Sequence, residues 1–198
     1  MTDTINIMIV GVGGQGTLLA SRILGNAAID CGFDVKVSEV HGMSQRGGSV
    51  VTYVKYGEKV FSPVISEGEA DIILAFEQLE AYRYLKFLKK DGTMILNTQK
   101  IAPMPVITGA ASYPEEIIEK LNKTGAKIIA IDALSAALKA GNAKAVNVVL
   151  IGVLASKTNI QKDIWQKAIE KTVPPRFLQV NQQAFEAGYN DQKGGGCV

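Results

Sequence analysis

Two short stretches concentrate the residue types that handle anions and protons. The first is Gly11-Val12-Gly13-Gly14-Gln15-Gly16-Thr17. Gly11, Gly13 and Gly16 fit G-x-G-x-x-G, and Gly14 adds another small residue. Glycines at this spacing let the backbone approach a phosphate or pyrophosphate, provided that a strand precedes them and a helix follows. Both flanks comply. Ile5 to Val10 is a short, β-branched apolar run, as a strand covered on both faces should be. Leu18, Leu19, Ile23, Leu24, Ala27 and Ala28 recur at helical spacing. A helix opening here offers unpaired N–H groups and the positive end of its dipole. Tight strand-to-helix packing alone would also explain the glycines.

The second stretch is the polar, glycine-rich loop from Glu39 to Ser49. It holds the chain's one histidine, His41, together with Ser44, Gln45, Arg46, Gly47 and Gly48. His41 could carry a proton or donate to a carboxylate or phosphate. Arg46 suits bidentate contact with an anion or a partner. Gly47 and Gly48 permit close approach of backbone to a ligand or a neighbouring chain. Glu39, 23 residues after Gly16, falls roughly where a dinucleotide fold places its ribose-binding acid, although the loop that follows departs from that pattern. Glu77 is expected at a comparable strand end, solvating a helix start or facing the same crevice. Asn147, inside the apolar run Ala145 to Ala155, needs a partner if buried, either a backbone group or a ligand.

Several chemistries lack their residues. There is no G-x-S-x-G, no lysine after the glycine turn, no Cys–His pair and no metal-ligand spacing, so no metal site is expected. Two cysteines, Cys31 and Cys197, are too few for a four-cysteine cluster or zinc site. Cys31 is read as a small core residue, and sparse cysteine suits a reducing cytoplasm.

The elements that must position these residues can be followed along the chain. The first helix should end near Cys31-Gly32. A second strand runs Val35 to Val40 and a third Ser49 to Tyr56, with Lys59-Val60-Phe61 expected to pair back as a hairpin strand and make the sheet mixed. Asp71 to Phe76 is the next buried strand, followed by a helix with Leu79, Tyr82, Leu85 and Leu88 on one face. Thr93 to Leu96 is another strand. Pro103-Met104-Pro105 should force an extended edge segment. A capping pattern at Ser112-Tyr113-Pro114-Glu115 predicts a helix start, and Gly125 its end. Lys127 to Ile131 is a strand, and Asp132 opens a helix to about Leu138. The rest reads as helical: a packed helix from Ala143 to Lys157, a capping pattern at Thr158 to Gln161, an amphipathic helix from Asp163 to Thr172, and a last helix from Arg176 to Ala187. The expected fold is α/β, three-layer α/β/α with a mixed, mostly parallel sheet and a helical C-terminal part. Residues 1–189 form one domain and 190–198 a flexible tail.

The 198 residues are 47% hydrophobic, and 21 basic against 19 acidic residues leave a formal charge of +2. No basic run supports nucleic-acid binding. No apolar run reaches membrane-spanning length, and no signal peptide is present, so a cytoplasmic location is expected.

The glycine turn, taken with Ser38-Glu39-Val40-His41-Gly42-Met43-Ser44-Gln45-Arg46-Gly47-Gly48-Ser49-Val50 and Ser62-Pro63-Val64-Ile65, resembles the gamma subunit or domain of the 2-oxoacid:ferredoxin oxidoreductases. Glu67-Gly68-Glu69-Ala70-Asp71 and Glu77-Gln78-Leu79-Glu80-Ala81 fit as well. Within that family the chain is most similar to the small subunit of the indolepyruvate type. The resemblance implies an enzyme that oxidatively decarboxylates a 2-oxoacid, passes electrons to ferredoxin and releases an acyl-coenzyme A. It implies that thiamine diphosphate and [4Fe-4S] clusters belong to a larger partner subunit, that coenzyme A is a co-substrate, and that this chain is incomplete alone. Taken with the reading of the residues above, it gives a candidate cofactor-facing set: Gly11, Gly13, Gly14, Gln15, Gly16 and Thr17 from the turn, Ser44, Gln45, Gly47 and Gly48 from the loop, and Asn147 from the apolar helix. His41 and Arg46 are candidates for a catalytic role. Two other readings stay open, a stand-alone NAD(P)- or flavin-binding oxidoreductase and a nucleotide-sensing scaffold subunit.

Overall fold

The computed structural model describes residues 4–41 and 47–194. Six strands form one sheet: β1 (Ile5–Val12), β2 (Asp34–His41), β3 (Ser49–Gly57), β4 (Ala70–Ala75), β5 (Leu88–Asn97) and β6 (Lys127–Ile131). Their order across the sheet is β2-β3-β1-β4-β5-β6. β1, β4, β5 and β6 run parallel, whereas β3 lies antiparallel between β2 and β1. The sheet is therefore mixed, as expected, but through β3. Among the described residues, 59–61 form no strand.

Alternation along the inner strands sorts the core into two layers. Ile7, Ile9, Ile72, Leu74 and Ile95 face one way, toward α1 (Thr17–Asp30), α5 (Ala133–Lys139), α6 (Val146–Ala155), α7 (Lys162–Thr172) and α8 (Leu178–Gly194). Met8, Val10, Ile73, Met94 and Leu96 face the other way, toward α2 (Gln78–Tyr84) and α4 (Ile117–Asn122). Period-two burial on both faces is what a strand between two helical layers requires. The α6 helix is apolar all round and is sandwiched, with Val148, Leu150, Ile151 and Leu154 fully buried. Its crossing with α8 depends on a glycine pair. A Cβ on Gly152 would stand 2.2 Å from the Phe185 carbonyl oxygen, and one on Gly188 would stand 1.9 Å from that of Val149.

Several boundaries differ from the sequence reading. The α2 helix ends at Tyr84, and Leu88 opens β5 instead of extending the helix. The cause is pairing: Ala70 sits opposite Leu88, then the register shifts, with Asp91 left-handed at φ 67°. Pro103-Met104-Pro105 is not extended throughout. Met104–Ile107 makes a one-turn helix, α3, because Pro105 lies in a first turn, where a missing N–H costs nothing. The α4 helix starts at Ile117, later than its capping pattern. The Tyr113 hydroxyl is drawn to α2, and Glu116 is left-handed at φ 56°. Thr158 does not cap α7, since its hydroxyl donates back to the Ala155 carbonyl at 3.1 Å and closes α6 instead. The α8 helix runs on through Gly194, into the segment assigned to the tail. Among the described residues no helix is long and apolar enough to cross a membrane.

Candidate functional site

The carboxyl ends of β1, β4 and β5 meet the amino end of β3, and the glycine turn lies at that junction. Gly14 and Gly16 are left-handed, at φ 103° and 82°, a conformation that side chains with a Cβ resist. Gly11 and Gly16 also clear space. A Cβ on Gly11 would press on Gln15 Oε1 and the Phe76 Cβ, both at 2.9 Å, and one on Gly16 would meet Asn147 Nδ2 at 2.6 Å.

The vacated space is filled from within. Gln15 folds back over Gly11: its Oε1 accepts from the Val12 N–H at 2.8 Å, and its Nε2 donates to the Phe76 carbonyl at 3.0 Å and to Gln99 Oε1 at 3.2 Å. Asn147, 4% exposed on α6, donates to the Gly16 carbonyl at 3.3 Å and accepts from the Val148 N–H at 2.9 Å. The structure thus gives both amides backbone partners. The first turn of α1 is different. Gly16 gives α1 no side-chain cap, and no acidic residue lies in its first turn. The leading N–H groups of α1 therefore have no intrahelical acceptor, and the dipole places about half a positive charge there. Gly14, Gly16 and Thr17 frame the one part of the turn suited to an anion.

The second motif is tied to the first by backbone. β1 and β3 pair with Val12 opposite Ser49. The Gly13 N–H donates to the Gly48 carbonyl at 2.8 Å, and the Gly47 N–H donates to the Gly13 carbonyl at 3.3 Å. The structure thus brings Gly47 and Gly48 against the turn. His41 ends β2 opposite Val50, and its side chain lies outside the described structure, as do residues Ser44, Gln45 and Arg46 altogether. Glu39 accepts from the Ser21 hydroxyl at 3.3 Å, in the second turn of α1 rather than at its mouth. Its strand is separated from β1 by β3, about 10 Å of sheet instead of one strand spacing.

The third wall comes from α2, and two buried acids dominate it. Glu77, 1% exposed, caps α2 by accepting from the Glu80 N–H at 2.9 Å. It also accepts from the Ile101 N–H at 3.1 Å and from the Tyr113 hydroxyl. Glu77 therefore solvates a helix start and ties α2 to the segment after β5. Glu80, 3% exposed, accepts from the Ser49 hydroxyl and from Arg83 Nη1 at 3.0 Å. Burial pushes the Glu80 carboxyl above its ordinary range, against the opposing pull of Ser49 and Arg83, and nearby Glu77 adds to the upward push. Burial and the bond to Glu77 push the Tyr113 hydroxyl up as well. Val12, Gly48, Ser49, Glu80, Arg83 and Met104 border a cavity of about 230 Å³ between this wall and the turn. Asn97 completes the floor, donating to the Phe76 carbonyl at 3.1 Å and accepting from the Ala133 N–H at 3.3 Å.

Sequence reasoning missed Ser49 as a partner of Glu80, together with Gln99 and Tyr113. Their partners lie 31 to 84 positions away, so only the strand order could have found them. The arrangement can hold an anion at the α1 mouth, and it keeps a buried, protonatable carboxyl, Glu80, in the separate cavity on the α2 side of the sheet. Among the described residues Ser49–Glu80 is a hydroxyl–carboxylate pair of the site, with no histidine between them.

A family profile described as pyruvate ferredoxin/flavodoxin oxidoreductase matches residues 6–191. The chain is 45% identical over 195 residues to indolepyruvate oxidoreductase subunit IorB of Thermococcus kodakarensis, covering 95% of this chain and 96% of that one. The gamma subunit of a keto/oxoacid ferredoxin oxidoreductase from Geobacter sulfurreducens has the same fold, with a TM-score of 0.73 at 24% identity over 96% of this chain and 99% of that one. A 2-oxoglutarate:ferredoxin oxidoreductase from Magnetococcus marinus, solved with 2-oxoglutarate, coenzyme A and succinyl-CoA bound, matches at a TM-score of 0.76 and 17% identity. That match covers all of this chain and 32% of the longer one.

Proposed function

The chain belongs to the pyruvate ferredoxin/flavodoxin oxidoreductase family, and from that premise we propose that it is the small subunit of a 2-oxoacid ferredoxin oxidoreductase acting on indolepyruvate or a similar aryl pyruvate. The observation that carries this reading is the 45% identity to an indolepyruvate oxidoreductase subunit along nearly the whole of both chains. The enzyme decarboxylates its 2-oxoacid oxidatively, yields an acyl-coenzyme A and passes electrons to ferredoxin. Thiamine diphosphate and [4Fe-4S] clusters are assigned to a larger partner subunit. This chain has two cysteines and no Gly-Asp-Gly…Asn thiamine pattern, so the division of labour suits its residues. A cytoplasmic location goes with the same reading.

Coenzyme A, when bound, supplies the thiol that takes up the acyl group. The uncapped start of α1, free of acidic side chains in its first turn, fits one of its phosphates, and Gly14, Gly16 and Thr17 are the residues that would hold it. Gln15 and Asn147 act one layer behind, keeping the turn open and rigid through their bonds to Val12, Phe76 and Gly16. Glu80 holds Ser49 in place at the start of β3 and so fixes the Gly47–Gly48 backbone against Gly13. His41 and Arg46, from the same connection in sequence, are assigned to the partner-facing side.

The stand-alone dinucleotide enzyme is disfavoured by the position of Glu39, one strand too far out and turned to Ser21. The test is reconstitution. The chain is co-produced with its large partner without oxygen, and ferredoxin reduction is followed with indolepyruvate and coenzyme A. Turnover that requires both chains supports the proposal. A lone chain that reduces a nicotinamide or flavin refutes it.

A further inference from the structure

Between Asn97, the end of β5, and Ile117, the start of α4, the chain makes an excursion over residues 98–116 with no buried residue in it. Connections longer than about 12–15 residues are uncommon in compact domains, and those that stay ordered commonly carry function. From Ile101 to Pro114 the excursion has no charged side chain, whereas 20% of the chain is charged. Met104 and Ile107, three apart on α3 and so on one side of it, are 63% and 66% exposed. An exposed run this poor in charge has the composition of an interface core, where Met is enriched and charge is scarce.

The run is held in one shape. The Val106 and Ile107 N–H groups donate to the Pro103 carbonyl at 2.9 and 3.0 Å, and the Ala111 N–H donates to that of Pro105 at 3.0 Å. Both flanks are tied to the cap of α2. Glu77, 1% exposed, accepts from the Ile101 N–H at 3.1 Å on the leading side and from the Tyr113 hydroxyl on the trailing side. The Gln78 N–H adds a bond to the Gln99 carbonyl at 3.1 Å. A buried carboxylate thus fixes both ends of an exposed apolar arm, and an arm ordered in advance loses less entropy on binding. The arm stands at the same end of the sheet as the glycine turn. Pro103, Met104 and Pro105 border, with Val12, Gly47 and Gly48, the cavity of about 230 Å³.

We propose that residues 98–116 are a docking arm for the large partner subunit, with Met104 and Ile107 as its anchors. This rests on the oxidoreductase reading, which supplies the occupant. With a coenzyme A phosphate at the start of α1, the acyl donor approaches from this end of the sheet. Two cysteines and no thiamine pattern mean that another chain brings it. With no charge between Ile101 and Pro114, the patch that the partner sets against Met104 and Ile107 is apolar. A second copy of this chain would cover the arm but bring no acyl donor.

The test uses the full chain, tagged and co-produced with the large subunit without oxygen, and reads capture of the large subunit by titration. Ile107→Glu weakens capture about tenfold or more and Met104→Gln several-fold, as anchors of an interface require. Unfolding stays as in the wild type, because both positions are exposed. Ile29→Glu, an equally exposed change at the far end of α1, about 20 Å from its mouth, leaves capture unchanged. Amide exchange across 101–113 slows several-fold in the complex. Wild-type capture by both arm variants, equal loss in Ile29→Glu, or unchanged exchange over 101–113 overturns the proposal and leaves the enzyme reading intact. A dimer of the chain alone that Ile107→Glu dissolves overturns it in favour of a second copy. Failure of the wild-type chain to capture any large subunit refutes the enzyme reading and the docking arm with it. Capture without ferredoxin reduction refutes the activity alone.

Discussion

Gln15→Ala separates a structural role from a ligand contact at the glycine turn. Gln15 makes three bonds, to the Val12 N–H, the Phe76 carbonyl and Gln99 Oε1. Truncation leaves the Phe76 carbonyl still served by Asn97, but it orphans the Val12 N–H, on a residue only 7% exposed. A buried donor left unmade costs about 1–3 kcal/mol, and the remaining contacts together add about 1 kcal/mol, so a loss of about 2–4 kcal/mol follows. For a chain of this size that lowers Tm by roughly 4–16 °C, at about 2–4 °C per kcal/mol. The assay is thermal and urea unfolding of the variant beside the wild type. Gln15→Glu is the control: its carboxylate still accepts from Val12 but faces the Phe76 and Gln99 oxygens without a proton to give. It should be at least as unstable as Gln15→Ala at neutral pH and recover as the introduced acid is protonated. Wild-type unfolding of Gln15→Ala together with lost coenzyme A binding would refute this reasoning and return Gln15 to the ligand-facing set.

Further predictions rest on single observations. Glu80→Gln should remove a pH slope. A carboxyl whose folded pKa is raised binds more protons folded than unfolded, so wild-type stability falls as pH rises from about 4.5 through the folded value, at no more than about 1.4 kcal/mol per pH unit. Urea midpoints measured across that range should show a flatter profile in the variant, and an unchanged profile would discount Glu80 as the source. Gly188→Ala places a Cβ 1.9 Å from the Val149 carbonyl oxygen, which the α6–α8 crossing can relieve only by moving apart, at a cost of about 3 kcal/mol or more. Thermal unfolding within 2 °C of the wild type would show that the crossing is looser than it stands. Arg46→Ala should leave unfolding unchanged and weaken either capture of the large partner or acyl transfer. Normal partner affinity with normal turnover would remove Arg46 from the site.

The legible parts are those in which neighbours in sequence are also neighbours in space. The run Ile5 to Val10 announces a strand with two covered faces, and its burial alternates between Ile7, Ile9 and Met8, Val10 as that requires. Asp132 reads as a helix cap and is one, its carboxylate accepting from the Ser135 N–H at 3.0 Å. Strand direction is different, because Val50 to Tyr56 carries the same alternation whichever way it runs. The strand over 49–56 is legible, but the mixed character of the sheet is expected from a hairpin strand at 59–61, which does not form, and comes from the antiparallel run of β3 itself. Gln15 stands in the candidate cofactor-facing set as a member of the glycine turn. Only the missing Cβ of Gly11, together with Phe76 arriving from β4, turns it inward. The Ser49–Glu80 and Tyr113–Glu77 bonds join α2 to elements that no local pattern links to it.

The reversal of β3 is what separates this site from a dinucleotide fold built on the same glycines. In a fully parallel sheet the strand beside β1 begins at the far end, and the crevice above the turn stays open for a cofactor's second half. Here β3 begins at that crevice. Its first residue, Ser49, lies opposite Val12, and Gly47 and Gly48 bond to Gly13. Gly47 and Gly48 therefore lie against the turn on the side where a parallel neighbour would leave it open, and the strand order sets Glu39 one strand further out. The start of α1, with no side-chain cap and no acid in its first turn, suits a phosphate. A chain so built can hold one end of a ligand whose reacting end lies elsewhere, as an incomplete subunit of a larger oxidoreductase requires. The same topology predicts that inorganic pyrophosphate competes with coenzyme A at the turn whereas NAD(P) does not. Tight NAD(P) binding by the isolated chain, abolished by Gly14→Val, would contradict it.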